Sequence, residues 1–147
     1  GSAADAAEAA AERAARSRSL FYVDTLEYLR RGGRIGAAAA LLGGALAVKP
    51  LLEIVEGRVA TLERVRTTAR ALARLEELAV QAAGTEPVDV TVAHLASPDR
   101  AGQLQEKLGV RLADNLEGRE VGCAELGAVL GAHVGPGMLA VCVAPLL

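Results

Sequence analysis

The spacing of apolar positions divides the chain into short alternating segments. Residues 3–18 (AADAAEAAAERAARSR) favour a helix, with acids early and arginines late as the helix dipole prefers, but their apolar content is nearly all alanine. Such a helix buries little and is expected to act as a connector. Gly1-Ser2 in front of it reads as an expression scar, and a chain opening on a connector helix reads as truncated. Asp24 and Thr25 offer a cap for a short helix through Arg31, with Leu26 and Leu29 on one face, and Gly32-Gly33 ends it. A second apolar helix is expected over about 35–43, before Gly43-Gly44. Residues 46–56 (LAVKPLLEIVE) read as a strand in which Pro50 demands an edge or a bend, and Glu56-Gly57-Arg58 reads as a hairpin turn into a strand over 58–65.

The clearest helix runs from Thr67 to about Ala83, with Leu72, Leu75, Leu78 and Ala79 as its stripe and Arg70, Arg74 and Glu77 outward. Residues 88–94 (VDVTVAH) alternate as a strand, and Pro98 opens a helix to about Leu108. Short strands near 110–113 and 117–122, a helix near 124–132 and a closing strand over 138–144 complete the pattern. No internal repeat is visible. Helices alternating with short strands predict an α/β, two-layer domain over residues 19–147, preceded by the connector of residues 1–18.

Composition sharpens this picture. Hydrophobic residues make up 52% of the chain, yet Phe21, Tyr22 and Tyr28 are the only aromatics. The core is therefore built from Leu, Val and Ala, which either line a smooth cavity or pack against one another. A net charge of −2 and a pI near 5.7 exclude a general nucleic-acid binder. Cys123 and Cys142 have no metal-ligand spacing and read as small buried hydrophobes in a reducing compartment, so a cytoplasmic location is expected. The uncharged run 35–48 is too short to span a bilayer. The run 126–147 is broken by Gly127, Gly131, Gly135, Pro136, Gly137 and Pro145.

Three constellations offer chemistry. In Arg30-Arg31-Gly32-Gly33-Arg34, two glycines permit a positive-φ turn and open space beside three guanidiniums suited to carboxylate or phosphate; the same string also reads as a helix C-cap with solvated arginines. Arg64-Val65-Arg66-Thr67-Thr68 puts Arg66 at a helix N-terminus that either attracts an anion or is an ordinary capped start. His133, beside the rigid turn Gly135-Pro136-Gly137, either donates to an anion or is a core histidine, and His94, closing a strand, reads as structural. Two histidines without acids or cysteines at helical spacing give no metal site, and no nucleophile motif supports a hydrolase.

Taken in order, Val23-Asp24-Thr25-Leu26-Glu27-Tyr28-Leu29-Arg30-Arg31-Gly32-Gly33-Arg34-Ile35 resembles the signature opening the second domain of DegV-family proteins. Val48-Lys49-Pro50-Leu51-Leu52, then Gly57, then Val65-Arg66-Thr67 follow it at the family's spacing, and His133-Val134-Gly135-Pro136-Gly137 resembles its C-terminal motif. The resemblance covers about residues 20–147. It implies a mixed β-sheet covered by helices and an apolar tunnel for a long-chain fatty acid, whose carboxylate is presented to a fatty acid kinase for phosphorylation ahead of phospholipid synthesis. The protein would then be a non-catalytic lipid carrier subunit, with the fatty acid as bound ligand and no cofactor. His133, Gly135, Gly137, Arg34 and Arg66 are the implied ligand-binding positions, and Arg31, Arg34 and Arg66 the implied partner-docking positions. The family's hydroxyl contacts from a first domain have no counterpart here, so the head-group site is expected to be incomplete. The competing expectation is an interaction domain whose fragment forms a homo-oligomer through the surface left by that missing N-terminal domain.

Overall fold

The computed structural model describes residues 1–42 and 48–146. Helix α1 (Ala3–Arg16) is closed by a reciprocal capping box between Ser2 and Asp5 and, as its alanines predict, buries no residue. Its hold on the body comes through Arg13, which donates to the Pro145 carbonyl at 3.0 Å and to the Asp89 carboxylate at 2.5 Å. Strand β1 (Arg18–Tyr22) leads to α2 (Glu27–Arg31) and a 3-10 turn over Gly36–Leu41. Strands β2 (Lys49–Val55) and β3 (Arg58–Val65) form a hairpin. Glu56 and Gly57 at its tip have φ of 49° and 74°, the two left-handed residues that a twist-matched hairpin requires. Helix α3 (Thr68–Ala83), strand β4 (Val88–His94), helices α4 (Pro98–Arg111) and α5 (Ala113–Leu116), strand β5 (Gly122–Glu125), helix α6 (Ala128–Val134) and strand β6 (Leu139–Pro145) come next in chain order.

Six strands form one mixed sheet in the order β3-β2-β1-β6-β4-β5, antiparallel except for the β4–β5 pair. The α/β layer plan holds. On one face α3 and α4 cover Leu20, Tyr22, Leu51, Val90, Val92 and Val141 with Ala71, Leu75, Leu104 and Leu108. On the other face a smaller cluster joins Phe21, Val23, Leu26, Leu29, Ala38, Leu52 and Val59. That face is only partly roofed, by α2, the 3-10 turn and α6, and it opens where β4 and β6 present Thr91 and Cys142. No helix among the described residues is long and apolar enough to cross a membrane.

Several expectations are corrected. Residues 43–47, which the apolar helix over 35–43 and the strand over 46–56 were expected to enter, lie outside the described residues. Ile35 leads into a 3-10 turn rather than an α-helix, and the strand starts at Lys49. At Pro50, where an edge or a bend was expected, β2 lies between β1 and β3 and it is the bend that is found. Pairing with β1 starts only at Leu51, beyond the proline, and a register shift between Leu51 and Leu52 supplies the bend. The expected strand at 110–113 is instead the end of α4, a turn at Leu112 and the start of α5, because Leu112 continues the buried stripe of Leu104 and Leu108 while Val110 points to solvent. The expected strand at 117–122 begins with left-handed Glu117 and Gly118 (φ 50° and 85°), which delays β5 to Gly122 and moves the next helix to Ala128. Both cysteines are exposed, Cys142 on the open sheet face and Cys123 on an edge strand. At the start of α2, the Thr25 hydroxyl accepts from the Glu27 N–H at 3.3 Å, while Asp24 serves elsewhere. Thr67 caps α3 as expected, accepting from Arg70 N–H at 3.2 Å.

Candidate functional site

The first and last of the singled-out motifs fold into one unit. Helix α2 is tightened at its end by the Gly32 N–H on the Tyr28 carbonyl and the Arg34 N–H on the Leu29 carbonyl, with Gly33 at φ 68° making the turn. Helix α6 packs beside it; Gly131 lies so close to Leu95 that a Cβ would sit 3.1 Å from its methyl group. The turn after α6 then runs along α2 in a sequence of close approaches. A Cβ on Gly135 would enter the Tyr28 ring, one on Gly137 would overlap the Asp24 carboxylate, and one on Gly32 would overlap the His133 ring. The glycines of both motifs are therefore contact glycines between α2 and α6 as much as turn glycines.

Asp24 anchors this unit to the main layer. Its Oδ1 accepts from the Tyr22 hydroxyl at 2.5 Å and lies 3.6 Å from Arg100, its carbonyl accepts from Lys49 Nζ at 3.1 Å, and Tyr22 also meets Thr68 at 3.0 Å. Burial, and then the bond to Asp24, raise the Tyr22 phenol above its ordinary value and keep it protonated. On α2 itself, Glu27 holds Arg30 at 2.7 Å, and that hydrogen bond lowers the Glu27 carboxyl.

Between this unit and the β2–β3 hairpin lies a groove of ≈ 440 Å³. Phe21, Leu29, Ile54, Val59, Leu130 and Val134 give it apolar walls, and Gly33, Arg34, Gly36, Gly57, Arg58 and His133 complete its lining. Among the described residues its lining includes no acid. The side chains of Arg34 and His133 meet at Gly32: Arg34 Nη1 donates to the Gly32 carbonyl at 3.3 Å while the imidazole rests on its Cα face. His133 Nδ1 is buried with no hydrogen-bond partner among the described residues. An apolar trough with a guanidinium and an imidazole converging on its rim is suited to a long hydrocarbon ending in an anion.

Of the expected site residues, the structure brings together Arg34, His133, Gly135 and, beyond the turn, Gly137. Arg31 is exposed on the same helix, its Nε 3.7 Å from Glu27. Arg66 is not brought in. It lies just past β3 at the end remote from Val59, seven residues along, or about 23 Å at strand spacing. It is exposed beside Thr67, so the three basic groups share no single opening. Phe21, Ile54 and Val59, which wall the groove, carried no functional signal in the sequence beyond strand alternation. The His94 ring accepts from Ser97 N–H at 3.2 Å and is structural, as expected. A larger hollow of ≈ 870 Å³ lies between α1 and the open sheet face, but Arg13 and Asp89 in its wall are already paired and its other residues are small or polar. It lacks the apolar walls of the groove.

The chain is 56% identical over 140 residues to a DegV domain-containing protein of Streptomyces coelicolor, covering 95% of this chain and 48% of that one. A DegV family protein of Thermus thermophilus described for fatty acid binding superposes with a TM-score of 0.85 at 34% identity, covering 99% of this chain and 52% of its own. A fatty acid binding DegV family protein of Streptococcus agalactiae superposes with a TM-score of 0.87 at 25% identity, covering 99% and 50%. The chain thus spans about half the length of the relatives it matches. The family's pattern, described as an uncharacterised protein of the DegV family, matches residues 1–146, and the chain belongs to the DegV family.

Proposed function

We propose that this chain is the second-domain half of a DegV fatty-acid carrier, holding a long-chain fatty acid in the groove and presenting its carboxylate to a fatty acid kinase. The groove's apolar walls, with Arg34 and His133 converging at Gly32, carry this reading. An apolar cavity of about 150 Å³ takes benzene, roughly 25 Å³ per carbon. On that scale ≈ 440 Å³ has room for about 17 carbons. Each buried methylene contributes about 0.8 kcal/mol, so the chain supplies affinity and the polar rim sets direction. The protein acts as a carrier, with the transfer chemistry on the kinase. Its work belongs in the cytoplasm, beside phospholipid synthesis.

The fatty acid binding described for the Thermus and Streptococcus proteins supports the ligand class, and the half-length coverage supports a head-group site completed by a first domain. In this reading α1 is the connector to that domain. Arg31 and Arg34 meet the kinase on the groove side, and Arg66 makes a separate contact. The test is lipid extraction and mass spectrometry of the recombinant chain and of a version extended by the first domain. Long-chain fatty acid in the extended version is the expected result, and its absence from both refutes the reading.

One observation favours a second reading. Ile54, Leu130 and Val129 stand 44%, 57% and 78% exposed near the groove, apolar surface that a second copy of this chain would cover. Sedimentation over a range of concentrations separates the two, since a strict monomer rules out self-association.

A further inference from the structure

The double glycine after α2 contains two different glycines. Gly33 has φ 68° and is needed for the turn. Gly32 has φ −78° and ψ −3°, right-handed helical backbone that alanine adopts freely and with better propensity. Local conformation therefore gives no reason for glycine at this position. The reason lies across the helix pair, where a Cβ on Gly32 would overlap Nδ1 and Cε1 of His133.

A second observation concerns the ring itself. Nδ1 is sealed and unpartnered among the described residues, a state that buried polar atoms rarely occupy. Nε2 has no protein partner among those residues either, and it is not sealed. Of the two nitrogens, Nε2 is the one not sealed, and His133 is among the residues that line the groove. Arg34 is fixed on the same residue by one guanidinium N–H, with its remaining N–H groups unused among the described residues.

We infer that Gly32 is a positioning residue for the head-group site: its bare Cα face seats the imidazole with Nδ1 inward and Nε2 toward the ligand, beside Arg34. The inference rests on the fatty-acid reading and adds which atom meets the carboxylate and what holds it there. The ring then offers one hydrogen bond, and Arg34 supplies the charge.

The test uses the 147-residue chain, dodecanoate as probe, and the variants Gly32→Ala, His133→Ala and the double variant. With only two histidines in the sequence, the imidazole nitrogen resonances are assigned by comparison with His133→Ala. Dodecanoate is expected to shift the His133 Nε2 resonance and leave Nδ1 in place. Gly32→Ala should weaken dodecanoate binding about tenfold, the loss of one hydrogen bond to a charged group, yet add nothing in the His133→Ala background. If Gly32→Ala fails to fold, the double variant should fold, because the colliding ring is gone. A shift at Nδ1, an equal loss in both backgrounds, or a double variant less stable than Gly32→Ala overturns the assignment. Dodecanoate that moves no resonance of the unaltered chain shows that this half alone does not hold it and leaves the fatty-acid reading to the extended version, and the ligand-free Nδ1 and Nε2 signals of Gly32→Ala then decide the seating on their own: unchanged signals overturn it, and displaced ones support it.

Discussion

Replacing Gly137 by alanine isolates the contact that ties the α6 turn to α2. Two costs add. At φ 88° a Cβ meets its own backbone, a strain of about 1–2 kcal/mol. The same Cβ would also overlap the Asp24 carboxylate, whose Oδ1 is committed to Tyr22 at 2.5 Å. Moving that carboxylate breaks a partly buried hydrogen bond at about 1–3 kcal/mol, for a total of about 2–5 kcal/mol. Gly57 supplies the control: its φ is 74° but nothing lies within 4 Å of the position a methyl group would take, so Gly57→Ala carries the strain alone. At about 3 °C per kcal/mol for a chain of this length, melting followed by circular dichroism should fall about 3–6 °C for Gly57→Ala and about 6–15 °C for Gly137→Ala. In an Asp24→Ala background the Gly137 penalty should drop to the Gly57 value. A Gly137→Ala loss no larger than that of Gly57→Ala, or one undiminished without Asp24, refutes the account of this turn.

Leu75 is fully buried at the centre of the α3 layer, and Leu75→Ala should cost about 2–5 kcal/mol in urea unfolding. Tyr22→Phe removes a hydroxyl shared by Asp24 and Thr68 and should cost about 1–2 kcal/mol. Because the folded Tyr22 phenol titrates above its ordinary value, the native chain should hold this contribution in full below about pH 10 and lose it as pH rises past that point, and Tyr22→Phe should flatten this alkaline limb. The Arg74 pair holds the Glu63 carboxyl below its ordinary value, chiefly by hydrogen bonding. Its contribution is therefore present above the unfolded carboxyl range and lost as pH falls through the folded value. With both side chains about a third exposed, Glu63→Gln should change the acid limb by under about 1 kcal/mol in an acid titration followed by circular dichroism.

What was legible in the sequence is what periodicity and caps encode. Thr67 and the Leu75–Leu78–Ala79 stripe fix α3, alternation fixes β4, and Glu56-Gly57 fixes the hairpin. Where local preference and tertiary packing disagree, packing prevailed. Residues 110–112 have strand-like composition, yet Leu112 is buried in line with Leu104 and Leu108, and α4 runs on to Arg111 before turning at Leu112. Cys142 has the burial habits of its residue type, but the sheet face beneath it is open and leaves it exposed. For the candidate site, the sequence singled out Arg34 and His133 because unusual residues sit in unusual strings, and both line the groove. The reason for Gly32 was not legible, because it depends on a ring 101 positions away in the chain.

That separation shows how the site is specified. No single string builds the rim of the groove. The Arg-Gly-Gly-Arg segment provides a guanidinium and a vacant Cα, and the His-Val-Gly-Pro-Gly segment provides an imidazole and two bare turns for Tyr28 and Asp24 to lie against. Each segment alone is equally consistent with an ordinary helix ending. Only their docking, fixed from below by Asp24 on Tyr22 and Arg100, converts two common helix termini into a polar rim above apolar walls. The contrast between the two sheet faces comes from the same arrangement. The α3/α4 face fills its volume with Leu, Val and Ala side chains, whereas the groove face uses short elements and glycines that leave ≈ 440 Å³ unfilled beside Phe21. Apolar walls left open to water cost free energy, so their presence beside a converging guanidinium and imidazole is the physical argument for the proposed hydrocarbon on this face.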